Sequence, residues 1–367
     1  MKRIYALIIG ALFFCTPVDA QKRVIDAVNH TPVAAASIID AAGNMVGYTL
    51  SNGHFSEVSE SAYPLTLCCI GYEPLVIERP EDKTWEMTPT VYDLDEVVVV
   101  PVKRNILKQT FYVREYLSMS SEKDTINFFV EHMADRYVPT SKDAKVGSHS
   151  SLRILNSRHY THFKKGEEDS VIVKPQATLP SMLTIFDIND DEIVAPESFK
   201  EIGTEAKIYE EAGVSGMALI QKQNARTFTI IEDPLAELKE HKVTPVALKL
   251  LGFTMEFNQM YTTRAYRVNS KGVYLPDDLM EAGFVMQADG SGKFLRKVLE
   301  SDKPVVIRSM LELYVVDREF FSKEEAKVEF KNKPADVKFV IPSTVPPLNK
   351  ATQRLVDRAN AEAKKAK

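Results

Sequence analysis

From Arg23 onward the apolar positions fall in short runs broken by turn-forming residues. Residues 23–26 make one run. Pro32-Val33 follows a turn at Asn29-His30-Thr31, and residues 36–40 alternate before Ala42-Gly43-Asn44. Residues 46–50 lead into Ser51-Asn52-Gly53, residues 55–58 continue, 65–70 read as a buried strand closed by Gly71, and 75–77 add another. Turn signals recurring roughly every 8–12 residues predict an all-β sandwich or barrel over residues 21–100.

Past residue 100 the pattern mixes two periods. Residues 97–102 read as a strand broken by Pro101, and 107–114 alternate loosely. Over 119–137, Ile126, Phe129, Val130, Met133 and Tyr137 fall at helical spacing, Ser121 precedes Asp124 as in a capping box, and Pro139 ends the run. The reading is an amphipathic helix packed on a core, with Glu122, Asp124, Glu131 and Asp135 on its polar face. Strands are expected at 151–155, 160–163, 170–173, 206–209, 218–222, 227–231, 260–268 and 305–316. Helices are expected at 234–240 and 245–251, each opened by a proline, and at 349–365, whose apolar side is Ala351, Leu355 and Ala359. The lysines at the end of that last helix suit its negative pole. The fold class that follows is mainly β or α+β: a β-sandwich, then a larger unit over 101–367 with an antiparallel sheet and flanking helices.

The first twenty residues stand apart. Lys2 and Arg3 precede an apolar run from Ile4 to Cys15, and Val18 and Ala20 supply small residues before Gln21. This three-part pattern predicts a secretory signal peptide over 1–20 and an exported protein, in the periplasm or associated with an outer membrane. An uncleaved anchor is the rival, but the run is short of the ~20 residues of a membrane span. Acylation at Cys15 is a second rival, with Phe13 and Phe14 where lipoprotein signals prefer small residues. Cleavage would leave the chain one unit more negative than its net −5, a charge that gives no reason to expect nucleic acid as a partner. Only Cys68 and Cys69 would remain. As strand neighbours they point to opposite faces, so no disulfide framework is expected. No later stretch reaches the ~18 consecutive apolar residues of a spanning helix, so no transmembrane segment is expected after cleavage.

Five short motifs carry a resemblance: Val24-Ile25-Asp26, Thr31-Pro32-Val33, Ala36-Ser37-Ile38, Gly53-His54-Phe55 and Ile70-Gly71-Tyr72. In that order they resemble the carboxypeptidase regulatory-like domain, a prealbumin-like β-sandwich found on carboxypeptidases and at the front of many outer-membrane receptors of Gram-negative bacteria. Residues 94–99 look like the segment that often closes it. The resemblance implies an accessory or contact module, with Pro32, Gly53, Phe55, Gly71 and Tyr72 as structural residues. Ser51 and Asn52 stand where the family often has an acidic residue, so no metal or charge role is carried over from there. The zinc pattern of the peptidase does not follow.

The search for chemistry finds no catalytic, cofactor-binding or metal-binding constellation. His159 and His162 fall on opposite faces of a strand. Residues 213–216 lack the nucleophile-elbow spacing, and residues 289–293 lack a phosphate loop's first glycine and final hydroxyl, reading instead as a tight hairpin turn. Residues 187–192 lack the glycine of a calcium loop. Residues 101–367 are too few for a large receptor barrel, and the terminal basic helix argues against a small one. The expectation is an exported envelope protein that binds or scaffolds without catalysis, partnered by an outer-membrane or periplasmic protein. The alternatives are an envelope hydrolase with a dispersed site and an accessory subunit of an outer-membrane receptor.

Overall fold

The computed structural model describes residues 22–81, 83–90, 104–140, 152–165, 168–174, 192–195, 207–213, 216–223, 226–235, 252–299, 303–332 and 337–365. The chain is mainly β, with antiparallel sheets and few helices. Its first unit holds six short strands: β1 (Arg23–Asp26), β2 (Ser37–Ile39), β3 (Met45–Tyr48), β4 (Leu65–Cys68), β5 (Leu75–Ile77) and β6 (Thr84–Met87). Strands β3-β2-β4-β5 form an antiparallel sheet, and β1 pairs with β6 in parallel. Period-two alternation turns Ile38, Leu65, Leu67 and Ile77 of the larger sheet onto Val24, Trp85 and Met87 of the smaller. Residues 55–58, expected as a strand, are not one. Phe55 leaves the sheet to pack its ring against Trp85, with centroids 5.8 Å apart. Strand β6 was not anticipated, because only Trp85 and Met87 are buried in it and four residues are too few to register a period.

The second unit is a ten-stranded sheet. Its strands are β7 (Ile106–Ser120), β8 (Asp124–Pro139), β9 (Leu152–Lys165), β10 (Glu168–Lys174), β12 (Lys207–Gly213), β13 (Gly216–Gln223), β14 (Thr227–Glu232), β15 (Phe253–Arg267), β17 (Leu279–Gly292) and β18 (Val305–Phe321). Their spatial order is β10-β9-β8-β7-β18-β17-β15-β14-β13-β12, antiparallel throughout. The short strands β11 (Ile193–Val194) and β16 (Val273–Tyr274) pair with each other. Three helices are described: α1 (Lys293–Leu299), α2 (Lys323–Lys331) and α3 (Lys350–Lys365). Helix α2 starts on a reciprocal capping box, Ser322 with Glu325.

The helix expected over 119–137 is strand instead, and the physical reason is burial on both sides. In β8, Ile126 lies in the core under one face while Phe129 and Met133 pack on the other. A strand covered on both faces loses its period of two, and apolar residues at both parities imitate helical spacing. The apparent capping box is the β7–β8 hairpin turn: the Ser121 amide donates to the Asp124 carbonyl, and the Asp124 amide donates to Ser121 Oγ at 3.0 Å. Over the described residues, the strands expected at 151–155 and 160–163 are the single strand β9, and β17 falls where no strand is expected. Residues 289–293 are no hairpin. The strand runs through Gly290 into α1, and a Cβ at Gly290 would stand 2.5 Å from the tip of Ile307 and 2.8 Å from that of Leu295, so α1 lies close against the strand at this glycine. Helix α3 matches its reading to within a residue. The helices expected at 234–240 and 245–251, the strand at 97–102, the acidic run at 187–192 and the leader at 1–20 lie outside the described residues, wholly or in all but a terminal residue or two.

The sheet is curled. One face gathers Ile126 of β8, Phe111 of β7, Phe228 of β14 and Tyr266 of β15 into one apolar cluster, and α1 touches β8, β15 and β17 together. In a flat sheet β8 and β15 would be four strand spacings, ~19 Å, apart. This face is therefore concave. The convex face carries the first unit: Ala34, Ile39, Met45 and Tyr48 pack on Ile220, Ile231, Tyr261, Val285 and Met310, and the Tyr48 hydroxyl bonds the Met286 carbonyl. Gly283 sits under Ile70, where a Cβ would come within 2.7 Å. Lys222 Nζ donates to the Pro32 carbonyl at 2.6 Å.

Candidate functional site

The residues marked by the resemblance converge at one end of the first unit and on its seam with the sheet. Pro32 bridges Ile25. Gly53 has φ +77°, and a Cβ there would lie 2.3 Å from the Val24 carbonyl oxygen and 3.3 Å from Pro32 Cβ. Gly71, at φ +82°, precedes Tyr72, whose hydroxyl donates to Asp26 Oδ2 at 2.9 Å. Phe55 packs against Trp85 with the two rings tilted by 38°. All five hold the local fold together. Cys68 packs toward the sheet and Cys69 toward the unit's own core, so the neighbouring thiols are free and divergent. Burial pushes both thiols up, Cys69 to about 12, which keeps them unreactive.

The chain from 337 to 349 is a strap laid over the convex face. Asn156 Nδ2 holds the Val337 carbonyl at 2.7 Å. Phe339 lies edge-on to Tyr112 and beneath the Arg158 guanidinium, 3.9 Å from the ring centroid. Arg114 Nη1 donates to the Pro346 carbonyl at 2.6 Å, and Asn349 caps α3 by accepting from the Thr352 amide at 2.8 Å. Arg114 is itself buried opposite Glu312 in the β7–β18 ladder, and its Nε reaches the Tyr112 hydroxyl, which donates to Glu131 Oε1 at 2.5 Å. Burial raises the Glu312 carboxyl, opposed by the Arg114 charge.

Between the strap and the first unit lies a groove of about 640 Å³, within the size range of ligand sites. Its floor is the outward face of β4–β5, where Thr66 and Val76 are cross-strand partners and Val76 is 44% exposed. Its far wall is Ser343 to Ala351, with Pro346 and Pro347 fixing the backbone. Lys350 and Arg354, one turn apart on α3, line it from one side and Glu73 from the other. Asp40 also lines it, but its carboxylate already accepts from the Ala42 and Asn44 amides and from Asn44 Nδ2. A second hollow of about 320 Å³ lies across the strap, sharing Ser343 and Thr344 and lined by Arg267, Glu281 and Arg318.

The concave face holds a different constellation. Glu115, His132, Ser157 and His159 come from three neighbouring strands. His132 Nε2 is 3.1 Å from Glu115 Oε1, within ion-pair reach but off the line of a hydrogen bond, and Nδ1 has no partner among the described residues. His159 Nε2 lies 3.0 Å from Ser157 Oγ, and the two imidazole rings meet edge-on at 5.6 Å. Burial first, then His132, lowers the His159 imidazole to about 4, against a smaller pull from Glu115. His162 points to the other face, 3.0 Å from Asp169 Oδ1, as strand alternation requires. Sequence reading missed this quartet because its members lie up to 44 positions apart in the numbering and meet only through strand register. The strap's prolines and the Lys350/Arg354 spacing were visible signals that were not read as a site. Among the described residues no three His, Cys, Asp or Glu side chains form a metal-binding group, and no helix is long and apolar enough to cross a membrane.

No family model matches the chain, and no curated protein matches it. Among solved structures, one described as "Lipid-protein interactions in lipovitellin" is similar at a TM-score of 0.27 and 10% identity, over 59% of this chain and 26% of that one. A likeness at that level identifies neither a fold nor a ligand, and the chain spans about a quarter of that protein's length. The class that the structure defines is therefore structural: a mainly antiparallel β protein whose small first unit and proline-bearing strap cover one face of a curled sheet.

Proposed function

We propose that this chain is an exported cell-envelope binding protein, without catalytic activity, that takes a ligand or partner in the groove between its first unit and its strap. The single observation that carries the reading is the groove itself: aliphatic and proline-lined, bordered by charges, and walled by parts of the chain nearly three hundred residues apart. Supporting it are the leader pattern of residues 1–20 and the resemblance of the first unit to a contact module of envelope proteins. The test is a photo-crosslinking residue at Val76 in the full chain, in its native envelope, with Val28, which is more exposed and does not line the groove, as the control site. A discrete adduct at Val76 and none at Val28, together with a mature terminus at Gln21, is expected. Equal labelling, or an intact leader, would overturn the reading.

A second reading has one observation in its favour. Ser157 Oγ and His159 Nε2 are at nucleophile–base distance beside the Glu115–His132 pair, the kind of dispersed site a hydrolase could use. Covalent labelling of the chain by a fluorophosphonate, abolished in Ser157→Ala, would establish it. Absence of labelling removes it.

A further inference from the structure

We infer that the strap is an acid-releasable wall of the groove, and that the histidine pair on the opposite face of β8 and β9 is its trigger. This rests on the groove being the binding site and adds how access to it is set.

The strap and the histidines hang on the same stretch of two strands. Strand alternation sends successive side chains to opposite faces. In β8, Glu131 and Met133 belong to the convex face, and His132 between them to the concave one. In β9, Asn156, Arg158 and Tyr160 belong to the convex face, and Ser157 and His159 to the concave one. The convex set holds the strap. Asn156 Nδ2 donates to the Val337 carbonyl, Arg158 covers the Phe339 ring, and Met133 shares an apolar cluster with Val337, Phe339 and Val345. A sheet is one backbone thick, so a stretch that turns to free one face takes the contacts of the other with it. The ladder is also interrupted here. Met133 pairs with Asn156 and Ala134 with Ile154, so Leu155 is an extra residue without a partner across the strands.

The concave set responds to protons. His132 and His159 are both buried, with their rings 5.6 Å apart. The charges that bear on His159 are those of His132, from β8, and Glu115, from β7. Lys174 stands opposite His159 in the β9–β10 ladder, and Glu131 and Arg158 belong to the other face. Glu115, 3.1 Å from His132 Nε2, offsets one imidazolium. A second has no carboxylate of its own and repels the first, so it is taken up readily only when the stretch turns out to water. Burial and His132 hold His159 at about 4 in the closed protein, against the 6.5 it regains in water. The released state therefore binds more protons. Closure is complete above 6.5 and weakens as pH falls toward 4.

The test places noncanonical spin-label residues on the full chain at Val76, on the groove floor, and at Ile341, on the strap, both exposed positions. The native cysteines stay in place. Double electron–electron resonance reads the distance between the labels at neutral pH and in acid down to about pH 4.5, within the window of the linkage. A second pair, at Val28 and Val76, lies within the first unit as a control. One narrow distance is expected at neutral pH. In acid a second, broader population should appear, its ratio to the first rising about tenfold or more. His159→Gln, alone or with His132→Gln, should hold that ratio to within about twofold. Glu115→Gln removes the counterion and should enlarge the released population at the same acid pH. Each variant's unfolding transition is compared with the parent's at neutral pH. A single narrow distance in the parent throughout, release that persists in the histidine variants, or broadening of the control pair along with the first would overturn the inference. The readout is the strap's own position with no ligand present, so it is decided separately from crosslinking at Val76, which decides the groove itself.

Discussion

The two faces of the ten-stranded sheet bury polar groups in different ways. On the convex face the charges are matched by pieces brought in from far along the chain. Arg114 is met by Tyr112 and by the Pro346 carbonyl of the strap, Glu131 by Tyr112, and Lys222 by the Pro32 carbonyl of the first unit. On the concave face the surroundings are an apolar cluster, and His132 Nδ1, Gln221 Oε1 and Arg264 Nη1 are buried without a hydrogen-bond partner among the described residues. Buried polar atoms are normally satisfied, and each exception asks for an explanation. The contrast teaches that the charges of the convex face are met by the chain's own segments, although the neutral Ser118 Oγ and Asn127 Oδ1 are left without a hydrogen-bond partner there among the described residues, whereas on the concave face the atoms left over include the His132 ring of a histidine pair.

The sharpest way to break this comparison is Arg114→Met. It leaves Glu312 buried without its cation and the Pro346 carbonyl without a donor, so a loss of about 3–5 kcal/mol in urea unfolding is expected. Adding Glu312→Gln should restore a good part of it. A single variant as stable as the parent would mean that the convex charges are not a matched set.

Next in size is the docking of the first unit. Gly283→Val forces side-chain atoms into Ile70 and should cost roughly 1–3 kcal/mol. Ile70→Ala should relieve part of that cost, a coupling that a double-mutant cycle reads directly.

The concave face is sharpened by pH. His159 is held neutral in the folded chain, its value lowered from 6.5 to about 4. The unfolded chain takes up a proton as pH falls through 6.5, while the folded one does not until near 4. Stability is therefore intact above 6.5 and declines between 6.5 and 4, by ~2 kcal/mol after allowance for partial screening. His159→Gln should flatten this slope in thermal unfolding across that window. An unchanged slope would show that the histidine is not the titrating group.

Smallest is the exposed tie between α3 and β10. Arg358 Nη1 meets Asp169 Oδ1 at 2.6 Å, on a helix already seated by Val356 and Ala359. Arg358→Ala should cost no more than ~1 kcal/mol and less in high salt.

Some elements were legible in the sequence because local rules decide them. Strands β1 and β5 were read to the residue, since each is a short run set between turn formers. Helix α3 was read because one side of it is apolar and the other faces water, so its period survives. Strand β8 was misread because both its faces are covered and the pattern that marks a strand is erased. Strand β17 passed unnoticed for a related cause: Gly283 and Gly290 fall in it where side chains of the neighbouring layers need room.

What the sequence determined by itself is the mainly β character, the turns of the first unit around Gly53 and Gly71, the divergence of Cys68 from Cys69 and of His159 from His162, and the terminal helix. These follow from backbone sterics and from the two-residue and 3.6-residue periods, which act within a few positions. The tertiary structure alone decided the groove, the strap and the Glu115–His132–His159 cluster. Their members come from separate segments, and only strand register and the curl of the sheet bring them within reach of one another.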